Sequence, residues 1–204
     1  MNLSVNGNLI GLVWLIWSAQ TGAAQGTFEV LNTGSGTPLV SVSRPLFVAA
    51  NLVEPRLQFD FGFATDEIFT PSTFLDSFTV TIQNPDQSLT AVYLTADASG
   101  TVLAPVTPGT LPINAATINT SAINYPSLQP VLAHQRAFLV SAAIPSQFVG
   151  GSINVFFDLF DNQDLKASQG WFSNLQIVSV PEPQTWTLVL LAGVLCWSFR
   201  RLKK

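Results

Sequence analysis

Residues 25–180 read as an all-β fold, an antiparallel β-sandwich, and three observations predict it. Apolar side chains recur at every second position through most of the stretch, and turn-forming clusters separate the recurrences. No part of it sustains a helical period of about 3.6 residues with caps.

Leu57, Phe59, Phe61 and Phe63 alternate with Gln58, Asp60, Gly62 and Ala64, and Phe78, Val80 and Ile82 alternate with Thr79, Thr81 and Gln83. Successive side chains of an extended chain point to opposite faces, so each run predicts a strand with one buried face. Val92 and Leu94 mark a weaker strand. Phe138, Val140, Ala142 and Ile144 form the next run, followed by Ile153, Val155, Phe157 and Leu159, whose other side carries Phe156 and Phe160. Ser173, Leu175 and Ile177 predict a last strand. Turn chemistry punctuates these runs at 32–36, Asn84-Pro85-Asp86, Asp97-Ala98-Ser99-Gly100, Ile144-Pro145-Ser146 and Gly150-Gly151. Ser99 to Gln135 is irregular and holds Pro105, Pro108, Pro112, Pro126 and Pro130. A connection of that length predicts either an excursion with short strands of its own or a functional loop. Many short strands with such turns favour a jelly-roll-like sandwich.

Of the 204 residues only 10% are charged, against about 25% in an average soluble domain. The net charge of -4 argues against a nucleic-acid partner, which would call for positive charge concentrated on one face. A single Cys and a single His exclude an internal disulfide framework and Cys- or His-rich metal sites.

Two terminal segments stand apart from the body. Leu9 to Trp17 is an apolar run followed by small and polar residues through Gly26, and Gly22, Ala23 and Ala24 supply the small side chains that a cut after Ala24 requires. The run has the length of a signal-peptide core, so residues 1–24 are expected to be a signal peptide read by the Sec export machinery. The segment departs from the usual pattern in having no Lys or Arg before Arg44. At the other end, Pro181-Glu182-Pro183 precedes the uncharged Gln184 to Phe199, and Arg200, Arg201, Lys203 and Lys204 follow. As a helix the apolar stretch would reach about 24 Å, a minimal single membrane helix against a hydrocarbon core of about 30 Å. Trp186 and Trp197 lie near its two ends, where interfacial indoles are favoured, and the basic cluster after it orients that side to the cytoplasm. Cys196 falls inside this stretch and reads as lipid-facing packing.

The order of these three parts resembles the PEP-CTERM sorting signal of Gram-negative bacteria. Pro181, Glu182 and Pro183 match its motif, and Arg200 and Arg201 open its basic tail. The resemblance covers residues 181–204 and implies an exosortase as partner, which removes the segment and passes the protein from the inner membrane to the cell surface or extracellular matrix. It also implies an association with exopolysaccharide and biofilm. The run from Phe28-Glu29 to Phe172-Ser173-Asn174-Leu175 is similar, without a diagnostic motif, to the secreted jelly-roll bodies that precede such tails.

The body carries eleven acids and four bases, a net charge of -7 that divalent cations could bridge to acidic polysaccharide. Asp158, Asp161 and Asp164 recur at every third position after an apolar strand. They read either as Asx turns closing a hairpin or as ligands of a structural calcium, without the Gly and distal Glu of an EF-hand. No other cofactor is expected. Sugar binding would need exposed aromatic faces, for which Trp171, Tyr125 and Tyr93 are the candidates, core packing being the competing role of Trp171. No catalytic residue emerges: none of Ser35, Ser99 or Ser152 sits in a nucleophile elbow, and His134 is an isolated imidazole beside Gln135 and Arg136. A carboxylate pair for glycoside hydrolysis has no recognisable signature among the eleven acids. The sequence therefore predicts a non-enzymatic, exported β-sandwich with a structural or adhesive role in the matrix. A calcium-assisted carbohydrate-binding module is the alternative, and a glycosidase is a more distant one.

Overall fold

The computed structural model describes residues 28–33, 38–70 and 74–180. The signal peptide expected over 1–24 and the sorting segment expected over 181–204, with Cys196, lie outside the described residues. Within them no helix is long and apolar enough to cross a membrane.

The described chain forms ten strands in two antiparallel sheets, a β-sandwich. They are β1 (Glu29–Thr33), β2 (Leu39–Phe47), β3 (Pro55–Thr65), β4 (Ser77–Gln83), β5 (Thr90–Asp97), β6 (Thr101–Leu103), β7 (Ile118–Ala122), β8 (His134–Ala143), β9 (Ser152–Phe160) and β10 (Ser168–Ser179). The first sheet runs β1-β10-β3-β8-β7 and the second β2-β9-β4-β5-β6. The connections β1–β2, β2–β3, β3–β4, β6–β7, β8–β9 and β9–β10 therefore all pass from one sheet to the other. The irregular stretch expected between Ser99 and Gln135 contains β6, a single 3-10 turn at Ala115–Thr117 and β7, so it is an excursion that adds an outer strand to each sheet.

Alternation decides what enters the core. Phe59, Phe61 and Phe63 of β3 face Phe78, Val80 and Ile82 of β4 and Val155, Phe157 and Leu159 of β9, all fully buried. Phe61 and Phe78 stack across the sheets with centroids 5.0 Å apart, and Phe157 and Phe172 stack at 3.6 Å with planes 2° apart. Such aromatic pairs add about 0.5–1.5 kcal/mol to the area they bury. Gly170 faces this layer: a Cβ there would lie 2.8 Å from the Phe78 ring, so a side chain would drive the two sheets apart. Tyr93 of β5 crosses the interior to donate from its hydroxyl to the Ala143 carbonyl of β8 at 3.1 Å, joining the sheets by a polar bond.

Two sequence readings shift in the structure. The last strand is longer than Ser173, Leu175 and Ile177 suggest, and its face changes partway. Phe172 points inward, Ser173 outward to the Asp60 carboxylate, and a bulge between Ser173 and Gln176 returns Leu175 to the core, with Asn174 at φ 53°. An extra residue in one strand inverts the parity that a strict period of two would keep. Strand β2 has no counterpart in the sequence reading, because none of its residues is fully buried and Pro45 interrupts it. Pro lacks the amide that a central strand must donate, and β2 accordingly sits at a sheet edge.

Candidate cation site and aromatic cluster

Registers Thr65↔Ser168 and Ser77↔Phe160 put the described ends of the 66–76 loop, residues 66–70 and 74–76, and the loop of residues 161–167 at one end of the sandwich. Both loops change sheets there, in opposite directions. The amide of Asp66 donates to Ala167 O at 3.0 Å, which holds the two side by side.

Glu67, Asp76 and Asp164 meet in this corner, each offering a carboxylate oxygen within 4.8 Å of the others. Glu67 lies just past the end of β3 and Asp76 directly precedes β4, so strand ends place them. Glu67 is 2% exposed and Asp76 0%, whereas Asp164 reaches solvent. Backbone and amide donors surround them. Asp76 N donates to Glu67 Oε2 at 2.7 Å, Asn162 Nδ2 to Glu67 Oε1 at 2.7 Å, and Asn162 N to Asp76 Oδ1 at 2.7 Å. Asp76 Oδ2 is buried and accepts no hydrogen bond. The Ser168 hydroxyl gives its proton to Thr65 Oγ1 at 2.7 Å, which leaves Asp76 Oδ2 without a donor.

Electrostatics here are unfavourable to three charges. Burial, reinforced by the neighbouring Asp76 and Asp164, pushes the Glu67 carboxyl up to about 7. Burial likewise raises Asp76, and Asp161 and Asp164 add to it. Among the described residues no Lys or Arg forms an ion pair with any of the three; Arg44 pairs with Glu29, away from this corner. The raised pKa of Glu67 is of the kind a general acid has, but each of its oxygens accepts a hydrogen bond and the side chain is almost sealed from solvent, so it ties the two loops together.

Of the aspartates singled out by their spacing, only Asp164 belongs to this group. Asp158 lies between inward-facing Phe157 and Leu159, so it points to the opposite face of β9, where its Oδ1 accepts from Ser41 Oγ. Asp161 Oδ1 accepts from Gln163 N at 2.6 Å, and Asp164 Oδ1 from Lys166 N at 2.8 Å, the bonds of successive Asx turns. Glu67 and Asp76 were not singled out by sequence. Their only sequence signal is position, at the mouths of two strongly alternating strands.

Trp171 and Tyr125 do come together, on the outer face of the first sheet. Their rings meet edge-on with centroids 6.1 Å apart, and Tyr125 OH donates to Gln169 Oε1 at 3.1 Å. Trp171 is 3% exposed. Phe28 stacks on one face of the indole at 5.3 Å and the bare backbone of Gly62 lies against it, while Nε1 has no acceptor. A sugar could stack on this ring only after its neighbours moved. Tyr93 is buried in the core, and His134, exposed, opens β8.

No family model matches the chain, and no curated protein or solved structure matches it either.

Proposed function

We propose that the protein is an exported β-sandwich of the jelly-roll type, sorted to the cell surface through residues 181–204, with a structural or adhesive role in an exopolysaccharide matrix. The observation that carries this reading is the ordered sequence Pro181-Glu182-Pro183, uncharged Gln184 to Phe199, and Arg200-Arg201. The strand order supports the jelly-roll topology. The pairs β1-β10-β3-β8 and β2-β9-β4-β5 interleave as two Greek keys wound over two sheets, with β6 and β7 as additions. Val180 N donates to Val53 O at 3.2 Å, so the body is hydrogen-bonded as far as the residue that precedes the motif. The acidic body suits bridging by divalent cations to anionic polysaccharide.

The test is processing in a host that carries an exosortase. The surface-released protein should lack the residues beyond about Pro183, and Glu182→Ala should leave the chain full-length in the inner membrane. Mass spectrometry that finds Lys204 on the released protein would overturn the proposal.

A further inference from the structure

We infer that Glu67, Asp76 and Asp164 form a divalent-cation site of the calcium class that locks the two crossover loops at one end of the sandwich. Three observations converge on it. The carboxylate oxygens lie within 4.8 Å of one another, and two oxygens bound to one ion at about 2.4 Å can be no more than about 4.8 Å apart. Asp76 is wholly buried, yet its Oδ2 has no hydrogen-bond partner. An oxygen in that condition forfeits its hydration without replacement, which a metal ligand does not. Finally, no Lys or Arg forms an ion pair with any of the three among the described residues.

The remaining chemistry fits a hard cation. Calcium takes carboxylate, amide and carbonyl oxygens in irregular shells of about six to eight, whereas magnesium demands a near-octahedral set and keeps most of its water. Exposed Asp164 leaves a side of the group open to water, which would complete the shell. Glu67 and Asp76 flank the 66–76 loop and Asp164 belongs to the 161–167 loop, so one ion joins both. This inference does not depend on how the chain is sorted.

The experiment is calorimetric titration of calcium chloride into the EDTA-treated full chain in mild detergent, with thermal melting alongside. One saturable site is expected near the range of about 0.1–1 mM typical of extracellular modules. A hundredfold excess over Kd should raise Tm by about 5 °C. Asp164→Asn, at an exposed position, should fold normally and weaken calcium binding at least tenfold. Asp76→Asn should abolish it, and Asp158→Asn should leave it unchanged. Absence of both heat and melting shift at about 10 mM calcium, well above that range, overturns the inference. So does wild-type affinity in Asp164→Asn, or loss of binding in Asp158→Asn. If Asp76→Asn does not fold, Asp164→Asn alone decides.

Discussion

The indole of Trp171 lies directly on the backbone of Gly62, its partner in the β3–β10 ladder: a Cβ built on Gly62 would fall 2.0 Å from Nε1 and 2.3 Å from Cε2. The glycine thus makes room for a ring on the outer face of the sheet, where Phe28 and Tyr125 complete an aromatic cluster. Gly62→Ala should destabilise the fold by about 1–3 kcal/mol through overpacking. Combined with Trp171→Leu, the added cost of the alanine should largely vanish, because the residues are in contact and their effects do not add. Urea denaturation of the two single variants and the double variant measures the coupling; additive costs would contradict the packing described.

Both tyrosines of the chain should ionise late. Burial pushes Tyr125 up to about 12, and burial raises Tyr93 as well, with Arg56 opposing it weakly. A phenol whose folded pKa exceeds its unfolded value of about 10 binds its proton more tightly in the native state. The resulting stability is fully present below about pH 10 and is lost as pH rises through about 12. Absorbance at 295 nm should stay flat in the native protein to about pH 11, while the guanidine-unfolded chain titrates near pH 10. A native phenolate transition near pH 10 would refute the burial of both rings.

How far the sequence could be read depended on whether a local pattern or a distant partner set the outcome. Phe59, Phe61, Phe63 and Phe157 reveal their buried faces by alternation alone, and each is fully buried. Asp158 follows from the same rule, since a residue between Phe157 and Leu159 must face away from the core. Parity fails in β10, where the bulge around Asn174 has no local hydrophobic signature. Strand β2 stayed hidden because an edge strand with partly exposed faces lacks the contrast that alternation needs. The acidic corner was half legible. Asp164 stood out in a dense run, but Glu67 and Asp76 reach it through two sheet crossings, and only the strand order brings those loops together. The contact of Trp171 with Tyr125 likewise joins β10 to the connection between β7 and β8, a pairing no spacing announces.

The face-to-face rings of Phe157 and Phe172, with Phe59 edge-on to Phe157 at 5.6 Å, make Phe157 the point at which both sheets meet. Phe157→Ala should cost about 3–5 kcal/mol, the transfer energy of the ring plus the cavity it leaves. Phe47→Ala, at a position 64% exposed at the end of β2, should change stability by less than about 0.5 kcal/mol. Denaturant midpoints of the two variants distinguish them, and similar shifts would contradict the inter-sheet role of Phe157.

Arg56 holds the excursion against the first sheet. Its Nε donates to Ser141 Oγ at 2.8 Å, and Nη2 donates to Ser141 O at 2.6 Å and to Thr117 O at 2.8 Å. One guanidinium therefore joins β3, β8 and the turn that leads into β7. Lysine keeps the charge but is a point donor on a flexible stem, and it cannot reproduce a planar fork that serves two chain segments at once. Arg56→Lys should cost about 1–2 kcal/mol, the loss of a charge-assisted bond partly replaced by water. The loss should be local in its dynamics, because β7 is an edge strand whose ladder runs to β8 alone. Hydrogen exchange should accelerate in residues 117–122 and leave the β4–β9 ladder protected, the pattern of a low-stability unit opening by itself. Equal acceleration in both regions would show that Arg56 supports the sandwich as a whole rather than the excursion.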